Sequence, residues 1–421
     1  MVRKMTKIRD VLLTQKRELE KFDQKPYVPR DIELAHLDKD MIKVIIGPRR
    51  AGKSFFTIHT LMQYGSFGYV NFDDEVLVEV KDYDDIIETI NSLYHNPRLL
   101  FLDEIQNLAR WELFVNRLQR QGYNLVITGS NSNLLSSELA THLTGRYIST
   151  IVFPFSFKEY LRYFNKELTT SEIKAKLHDY LHTGGFPEPL VKEIGYGEYL
   201  KTLHSSVIFK DIVKRYNIRS AKPMDDLSRF LISNAGGFVS YRNLAKMVDL
   251  KSTHTIGKYL DYLEEAFLHF KLNAFSYKYR EQIKSEKKVY TIDNGMIGAR
   301  AFNFFPHLGV LYENMVAVEL KRRELKGELE FYYYKNPQGY EVDFVVKEGM
   351  DITQMIQVSY NVDTEKTRTR EIRALLHGLK KLKCDRLMVI TGDYENTETF
   401  DWYGVKGEIQ FMPLWKWLSE K

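Results

Sequence analysis

Short apolar runs separated by longer mixed segments dominate the first part of the chain. Between residues 43 and 153 these runs are KVIIG, YVNFDD, LLFLDE, NLVITGS and ISTIVF. The stretches between them are long enough for crossover helices. Continuous apolar runs that alternate with helical segments are typical of a parallel sheet buried on both faces. The pattern therefore predicts a doubly wound α/β domain of five strands.

The pattern changes beyond Pro154, where strand-like runs stop. Helical periodicity follows, then three short helices with a β-hairpin, and finally mixed helix and strand. The charged N-terminus predicts a helix that ends before Pro26 and Pro29. The predicted segments are 1–30 (N-terminal helix and linker), 31–154 (α/β core), 155–215, 216–292 and 293–421.

Composition excludes several classes of protein. Among 421 residues there is one cysteine, Cys384, which rules out an internal disulfide framework and a CxxC zinc site. The N-terminus lacks the apolar core of a signal peptide, and no apolar run is long enough to span a membrane. We expect a soluble cytoplasmic protein without a membrane partner.

The net charge of +5 is small, but its distribution is uneven. From Arg215 to Arg300 there are 15 Lys and Arg against 9 Asp and Glu. A local basic excess suits a polyanion such as DNA. A solvated helical face would produce the same count.

A phosphate-binding loop follows the first apolar run. The segment Gly47-Pro48-Arg49-Arg50-Ala51-Gly52-Lys53-Ser54 fits the pattern G-x-x-x-x-G-K-[ST]. The glycines allow backbone N–H groups to surround phosphates at a helix N-terminus. Lys53 is placed to reach the β- and γ-phosphates of ATP, and the Ser54 hydroxyl to ligate Mg²⁺.

A pair of acids follows the strand-like run LLFL. Asp103 is the expected second ligand of Mg²⁺, and Glu104 suits a general base that polarises the attacking water. The alternative is a strand that ends in solvated acids. The strand-like run YVNFDD lies between the loop and these acids, which favours an ATPase with a catalytic glutamate over a kinase.

These motifs resemble AAA+ P-loop ATPases, closest to an archaeal and bacterial group with the pattern G-P-R-R-x-G-K-[ST]. The resemblance extends from about residue 31 to the end of the chain. It implies a helical lid at 155–215, a winged helix at 216–292 and a restriction-endonuclease-like α/β domain at 293–421. It also implies Mg²⁺-dependent ATP hydrolysis in a homo-oligomer.

The resemblance assigns further residues to the nucleotide site. Ser130 would be the sensor of the γ-phosphate, with Thr128 or Asn131 as neighbouring choices. Arg146 would reach the ATP of a neighbouring subunit, unless it is an ordinary surface arginine. Arg49 and Arg50 belong to the group's pattern, although solvated loop arginines explain them nearly as well. The shared segment Gly184-Gly185-Phe186-Pro187-Glu188 would shape the adenine end of the pocket.

The segment 216–292 offers candidate DNA contacts. Small polar and basic residues begin its third helix, where a recognition helix meets a major groove. A basic wing would follow near the phosphate backbone. The candidates are Lys251, Thr253, His254, Lys258, Lys287 and Lys288. The alternative is a winged helix used only for packing or subunit contacts.

The last segment resembles the restriction-endonuclease-like pattern in ELEFYYYK, YEVDFVVKEG and TQMIQVSY. Glu313, Asp343 and Gln357 occupy the positions of its site residues. Gln357 and Ser359 stand where the pattern has an acid and a lysine, and neither supplies that chemistry. We therefore expect a degenerate nuclease fold without nuclease activity.

The predicted function is a Mg²⁺-dependent ATP hydrolase. Its nucleotide state would move a lid and a winged helix, with DNA as the partner and a homo-oligomer as the working form. One alternative is an ATP-gated switch or scaffold for protein partners. Another is an ATP-controlled nuclease.

Overall fold

The chain divides into two units between Pro154 and Phe155. We call residues 1–154 the N-terminal unit and residues 155–421 the C-terminal unit. The computed structural model describes residues 2–129, 145–301 and 307–419.

The N-terminal unit is built on one parallel sheet. Its strands are β1 (Ile42–Ile46), β2 (Gly68–Asn71), β3 (Leu99–Asp103), β4 (Asn124–Thr128) and β5 (Tyr147–Ile151). They lie in the order β2-β3-β4-β1-β5, and every neighbouring pair is parallel. The prediction of a five-stranded α/β fold is confirmed. Since all strands share one direction, the segments after β1 and β3 emerge at the same edge of the sheet.

Helices cover this sheet and connect its strands. They are α1 (Val2–Glu20), α2 (Lys53–Tyr64), α3 (Glu75–Val78), α4 (Asp84–Tyr94) and α5 (Trp111–Arg120). The predicted N-terminal helix already ends at Glu20. A 3-10 turn follows because Phe22 enters the core, where its ring lies 4.4 Å from that of Phe55.

Helix α1 covers the open edge of the sheet. Since β2 is an edge strand, one side of its backbone lacks a neighbouring strand. The Asn71 N–H donates to Gln15 Oε1 at 3.0 Å, and Gln15 Nε2 donates to the Asn71 carbonyl oxygen at 2.9 Å. The glutamine amide thus pairs with Asn71 as another strand would.

The C-terminal unit begins with helices. They are α6 (Phe157–Arg162), α7 (Thr170–Thr183), α8 (Pro187–Lys192) and α9 (Tyr196–Ser206), followed by a π-helical segment, Val207–Val213. Capping boxes start α6 and α7, with Ser156 paired to Glu159 and Thr169 to Glu172. Each box satisfies backbone donors that a helix N-terminus leaves open.

A small helical part with a three-stranded sheet follows. Its elements are α10 (Lys222–Ser233), β6 (Phe238–Val239), α11 (Tyr241–Met247), α12 (Thr253–Glu265), β7 (His269–Leu272), α13 (Tyr279–Lys284) and β8 (Lys287–Thr291). The antiparallel sheet has the order β6-β8-β7. Ile256, Leu260 and Leu263 form the buried side of α12, so its other side is left for solvent.

The remainder is an α/β part with a mixed sheet. Its elements are α14 (Asn294–Arg300), α15 (Leu308–Leu325), β9 (Glu330–Lys335), β10 (Glu341–Glu348), β11 (Asp351–Val358), α16 (Glu365–Leu382), β12 (Leu387–Thr391), β13 (Asn396–Trp402), β14 (Val405–Pro413) and α17 (Leu414–Ser419). The strand order is β13-β14-β12-β11-β10-β9. Strand β12 runs parallel to both of its neighbours, and the other pairs are antiparallel.

The glycine pair after α7 has a packing role within the C-terminal unit. The Gly185 N–H donates to the buried Asp293 carboxylate at 2.7 Å. A Cβ on Gly184 would lie 1.8 Å from Asp293 Oδ1, and one on Gly185 would lie 2.2 Å from the Phe155 carbonyl oxygen. Burial raises the pKa of Asp293 to about 6, whereas the N–H donors of Gly185 and Gly295 favour its ionised form.

We predict that Gly184→Ala destabilises the C-terminal unit by about 3 kcal/mol or more, because a left-handed backbone and a clash add together. The matched control is Gly327→Ala. Gly184 has φ +72° and Gly327 has φ +76°, but a Cβ on Gly327 meets nothing within 4 Å. Urea unfolding, monitored by circular dichroism, measures the loss in free energy of unfolding for both variants. Equal losses would contradict the close approach to Asp293.

Candidate functional site

The loop between β1 and α2 has the backbone of a phosphate-binding turn. Gly47 adopts φ +143°, and a Cβ there would lie 2.1 Å from the Val152 carbonyl oxygen. Gly52 is left-handed and caps α2 at its N-terminus. At position 47 only glycine suits both the positive φ and the close approach of the Val152 carbonyl oxygen. The predicted loop 47–54 therefore leads directly into a helix N-terminus, where backbone N–H groups attract anions.

Lys53 is folded back over this loop. Its side chain is buried, with 5 % of the residue exposed. Its Nζ donates to the carbonyl oxygens of Gly47 at 3.1 Å and Pro48 at 3.0 Å. The ammonium group thus lies on the inner side of the loop, hydrogen-bonded to its backbone. It is next to the helix N-terminus that a phosphate would approach.

Asp103 is the last residue of β3, and its carboxylate accepts hydrogen bonds from hydroxyl groups on three other elements. Ser54 Oγ donates to its Oδ1 at 2.9 Å, Thr128 Oγ1 donates to the same oxygen, and Tyr69 OH donates to Oδ2 at 3.3 Å. Burial and the charge of Glu104 raise the pKa of Asp103 to about 6, while Thr128, Ser54 and Lys53 favour the ionised form. The phosphate loop and the first acid are therefore in direct contact.

Glu104 follows in a left-handed conformation, with φ 53° and ψ 42°. Its backbone N–H donates to Thr128 Oγ1 at 3.0 Å, and its carboxylate accepts a hydrogen bond from Gln106 Nε2. Non-glycine residues adopt this conformation mainly where surrounding contacts impose it. Thr128, the last residue of β4, thus links both acids. Ser130 and Asn131 lie outside the described residues.

The donors around Asp103 fit a small, hard cation. A hydroxyl and a carboxylate oxygen lie 2.9 Å apart at the entrance of the phosphate loop. Mg²⁺ prefers such oxygens and usually combines one or two protein ligands with substrate phosphates and water. Ser54 and Asp103 are the residues that would hold it.

Arg30 supports the loop from behind, which sequence reasoning missed. Its guanidinium donates to the Ala51 carbonyl oxygen at 3.1 Å and also to the Phe153 carbonyl oxygen. These contacts join the residues before β1 to the loop and to the segment after β5. A lone arginine in an extended segment carries no pattern that indicates this role.

Arg146 lies at the opposite edge of the sheet from the phosphate loop. Its carbonyl oxygen accepts from the Ile42 N–H at 2.9 Å, at the start of β1, whereas the loop follows the end of β1. Its side chain is exposed. Five strand residues separate these edges, about 16 Å. Arg146 therefore cannot contact phosphates bound by its own chain.

Glu313, Asp343 and Gln357, the candidate residues of the predicted degenerate nuclease site, lie close together. The Asp343 N–H donates to Gln357 Oε1 at 2.6 Å, and the Val358 N–H donates to Asp343 Oδ2 at 2.9 Å. Gln357 Nε2 also donates to Glu371. Glu313, on α15, joins the group through Lys288, which sequence reasoning placed elsewhere.

Lys288 is a correction to the predicted DNA-binding set. Its Nζ lies 3.1 Å from a Glu313 carboxylate oxygen, 2.7 Å from one of Glu341 and 3.6 Å from one of Asp343. Its side chain is 4 % exposed, so it cannot meet a phosphate backbone. Burial alone would lower the pKa of Lys288, but the three carboxylates raise it well above its ordinary value.

This lysine supplies the positive charge that neither Gln357 nor Ser359 carries. It comes from β8 and is held by α15 and β10. Burial and the charge of Glu313 hold the pKa of Asp343 well above its usual range, and Lys288 opposes that rise. We call Lys288, Glu313, Glu341 and Asp343 the Lys288 cluster.

The other candidate DNA contacts lie on one part of the C-terminal unit. Four of them, at the start of α12, are exposed: Lys251, Thr253, His254 and Lys258. Lys287 is half-buried and donates to the Gln282 carbonyl oxygen at 2.8 Å.

Family comparisons cover nearly the whole chain. An AAA domain matches residues 39–161, and two domains of unknown function match residues 174–305 (DUF8612) and 308–417 (DUF4143). An uncharacterized protein of Methanocaldococcus jannaschii is 35 % identical over 409 residues, which cover 93 % of this chain and 90 % of that protein. The chain belongs to this family of AAA-domain proteins.

A bacterial relative has the same extent. An uncharacterized protein of Haemophilus influenzae is 32 % identical over 392 residues, covering 86 % of this AAA-domain protein and 92 % of the relative. Among solved structures, a Walker-type ATPase of Pyrococcus abyssi is 15 % identical with a TM-score of 0.42, covering 66 % of this chain and 99 % of that one. That distant likeness adds nothing to the assignment.

The AAA domain places the loop and both acids in a P-loop ATPase fold, which implies nucleotide binding. Within the described ranges, no helix is both long and apolar enough to cross a bilayer.

We predict that Lys288→Met lowers the free energy of unfolding by about 3 kcal/mol at pH 7, because it leaves three partly buried carboxylates without their cation. The loss should shrink as the pH falls from 8 to 5. The folded variant then binds protons that the unfolded chain does not yet bind, so acidification stabilises it. Urea unfolding at several pH values measures this. The control is Lys287→Met on the same strand, and equal, pH-independent losses in both variants would refute the cluster's role.

Proposed function

We propose that the protein is a Mg²⁺-dependent ATP hydrolase. One observation carries this proposal: Ser54 of the phosphate loop donates directly to the buried Asp103 carboxylate, with Lys53 folded inside the same loop. A phosphate loop without a facing acid would suit many phosphate ligands. A loop that shares its hydroxyl with a strand-end acid suits a phosphate with a bound divalent cation.

Each residue has a distinct part in the proposed reaction. Backbone N–H groups of the loop 47–54 and the Lys53 ammonium bind the phosphates. Ser54 and Asp103 would hold Mg²⁺, which would neutralise charge on the phosphates. Glu104 positions the attacking water and accepts its proton, after its carboxylate leaves Gln106. Ser130 senses the γ-phosphate. Holding the reactants in line and neutralising charge supply most of the rate in such reactions.

The proposal also includes movement of the C-terminal unit on DNA. Its middle part has the order helix, strand, helix, helix, strand, short helix, strand, with the antiparallel sheet β6-β8-β7. We assign it as a winged helix and residues 155–215 as a lid. The exposed start of α12 supports it as the element that faces a major groove.

We predict that Lys53→Ala abolishes ATP binding, because the loop loses the cation that faces the phosphates. Glu104→Gln should bind Mg²⁺–ATP as the native protein does and hydrolyse it about 10²–10⁴-fold more slowly. Titration calorimetry and phosphate release measure these two quantities separately. Glu88→Gln, an exposed residue of α4, is the matched control. Native turnover in Glu104→Gln would exclude this base, and a native protein that binds ATP without turnover would be a switch.

The position of Arg146 provides a chemical reason for the protein to act as a homo-oligomer. Since it lies about one strand length from its own loop, it can act only on ATP bound by a second copy. An arginine supplied across an interface accelerates phosphoryl transfer by about 10³–10⁵. An exposed position at the edge of β5 is compatible with that reach.

We predict that Arg146→Ala and Glu104→Gln are each inactive alone and regain activity when mixed. In the mixture, an intact Glu104 site meets an intact Arg146 from the other variant. The measurement is ATP hydrolysis against mixing ratio, together with native mass. A mixture as inactive as its parts, or an active Arg146→Ala protein, would remove Arg146 from the reaction.

A further inference from the structure

Three exposed large apolar side chains lie close together in sequence on the hairpin between β7 and β8. Tyr277 and Tyr279 are each 75 % exposed, and Ile283 is 56 % exposed. Isolated exposed apolar residues are common on proteins, whereas a group of them marks an interaction surface. We call residues 277–284 the hairpin tip.

The base of this hairpin is fixed to β9. The Phe275 N–H donates to the Tyr333 carbonyl oxygen at 2.6 Å, and Tyr333 OH donates to the Glu286 carbonyl oxygen at 2.6 Å. The Phe275 ring packs 5.8 Å from that of Tyr332. Both ends of the hairpin are therefore anchored, so the tip keeps its orientation and loses little entropy when it binds a ligand.

The charges of the tip are predominantly positive. The negative charge of Glu281 is balanced by Lys278, whose Nζ lies 3.1 Å from its carboxylate. Ser276 Oγ also donates to this carboxylate at 2.9 Å. Arg280 and Lys284 are exposed, and within the described ranges neither forms an ion pair. On α13, residues 279 and 283 share one face and residues 280 and 284 share the adjacent one.

We propose that the hairpin tip binds single-stranded nucleic acid. Unpaired bases stack on the rings of Tyr277 and Tyr279, and Arg280 and Lys284 pair with the phosphates beside them. Single strands are the favoured ligand because a duplex covers the faces of its bases. This inference rests on the proposed action on DNA and adds a second contact besides α12.

A protein partner fits this surface less well. A stable protein interface covers about 800 Å² on each side. A helix of six residues and its preceding turn offer far less. Two rings and two cations instead provide the two kinds of contact that a nucleotide takes, one for the base and one for the phosphate.

The test is fluorescence anisotropy with labelled oligo(dT) and with a duplex of equal length. The double variant Tyr277→Ala/Tyr279→Ala should bind oligo(dT) at least about tenfold more weakly, whereas duplex binding should change little. Tyr277→Phe/Tyr279→Phe should retain the affinity, since stacking requires only the ring. Arg280→Ala/Lys284→Ala should reduce the slope of log affinity against log salt by about 1.4.

Tyr403→Ala is the matched control, because Tyr403 is 90 % exposed on the β13–β14 turn. Native oligo(dT) affinity in the Tyr277/Tyr279 alanine variant would overturn the inference. So would a changed native mass with unchanged affinity, which would assign the tip to a protein contact. Duplex binding that depends on Lys251 and Lys258, without any oligo(dT) binding, would overturn only the inference about the hairpin tip and leave the proposed action on DNA in place. Binding of neither nucleic acid would overturn the proposed action on DNA as well.

Discussion

The buried carboxylate of Asp103 holds the nucleotide site together. Removing a carboxylate from water is costly unless its oxygens receive hydrogen bonds. Ser54, Thr128 and Tyr69 provide them from the phosphate loop, β4 and β2. The same bonds fix how the loop stands against three neighbouring strand ends. The hydrogen bonds that one buried acid requires thus bring together the groups of the proposed Mg²⁺–ATP site.

Local patterns in the sequence predict the core of this site well. Apolar runs define the strands of the parallel sheet, and the spacing of Gly47, Gly52 and Lys53 defines the loop. Both depend on residues close together in the chain. Thr128 was only a neighbouring choice for the sensor, and Arg30 was not a candidate at all. Their contacts join residues 25 and 123 positions apart, which local patterns do not reveal. Such contacts follow from strand order, which the apolar pattern alone does not specify.

The C-terminal unit shows the same limit in another form. Lys287 and Lys288 are adjacent, but consecutive strand residues face opposite sides. One side meets Glu313, Glu341 and Asp343, which are supplied by elements later in the chain. Of these two adjacent lysines, Lys287 is therefore half-buried, whereas Lys288 forms ion pairs with three carboxylates. The Lys288 cluster joins β8 to the α/β part, so ion pairs connect the predicted wing to the residues of the predicted nuclease-like site.

A structure with Mg²⁺ and a non-hydrolysable ATP analogue is the decisive experiment for the nucleotide site. We expect the metal about 2.1 Å from Ser54 Oγ, with Asp103 beside it. Lys53 Nζ should then leave the carbonyl oxygens of Gly47 and Pro48 for the β- and γ-phosphates. A nucleotide bound elsewhere, or a Lys53 that keeps both carbonyl contacts while the nucleotide is bound, would contradict this expectation.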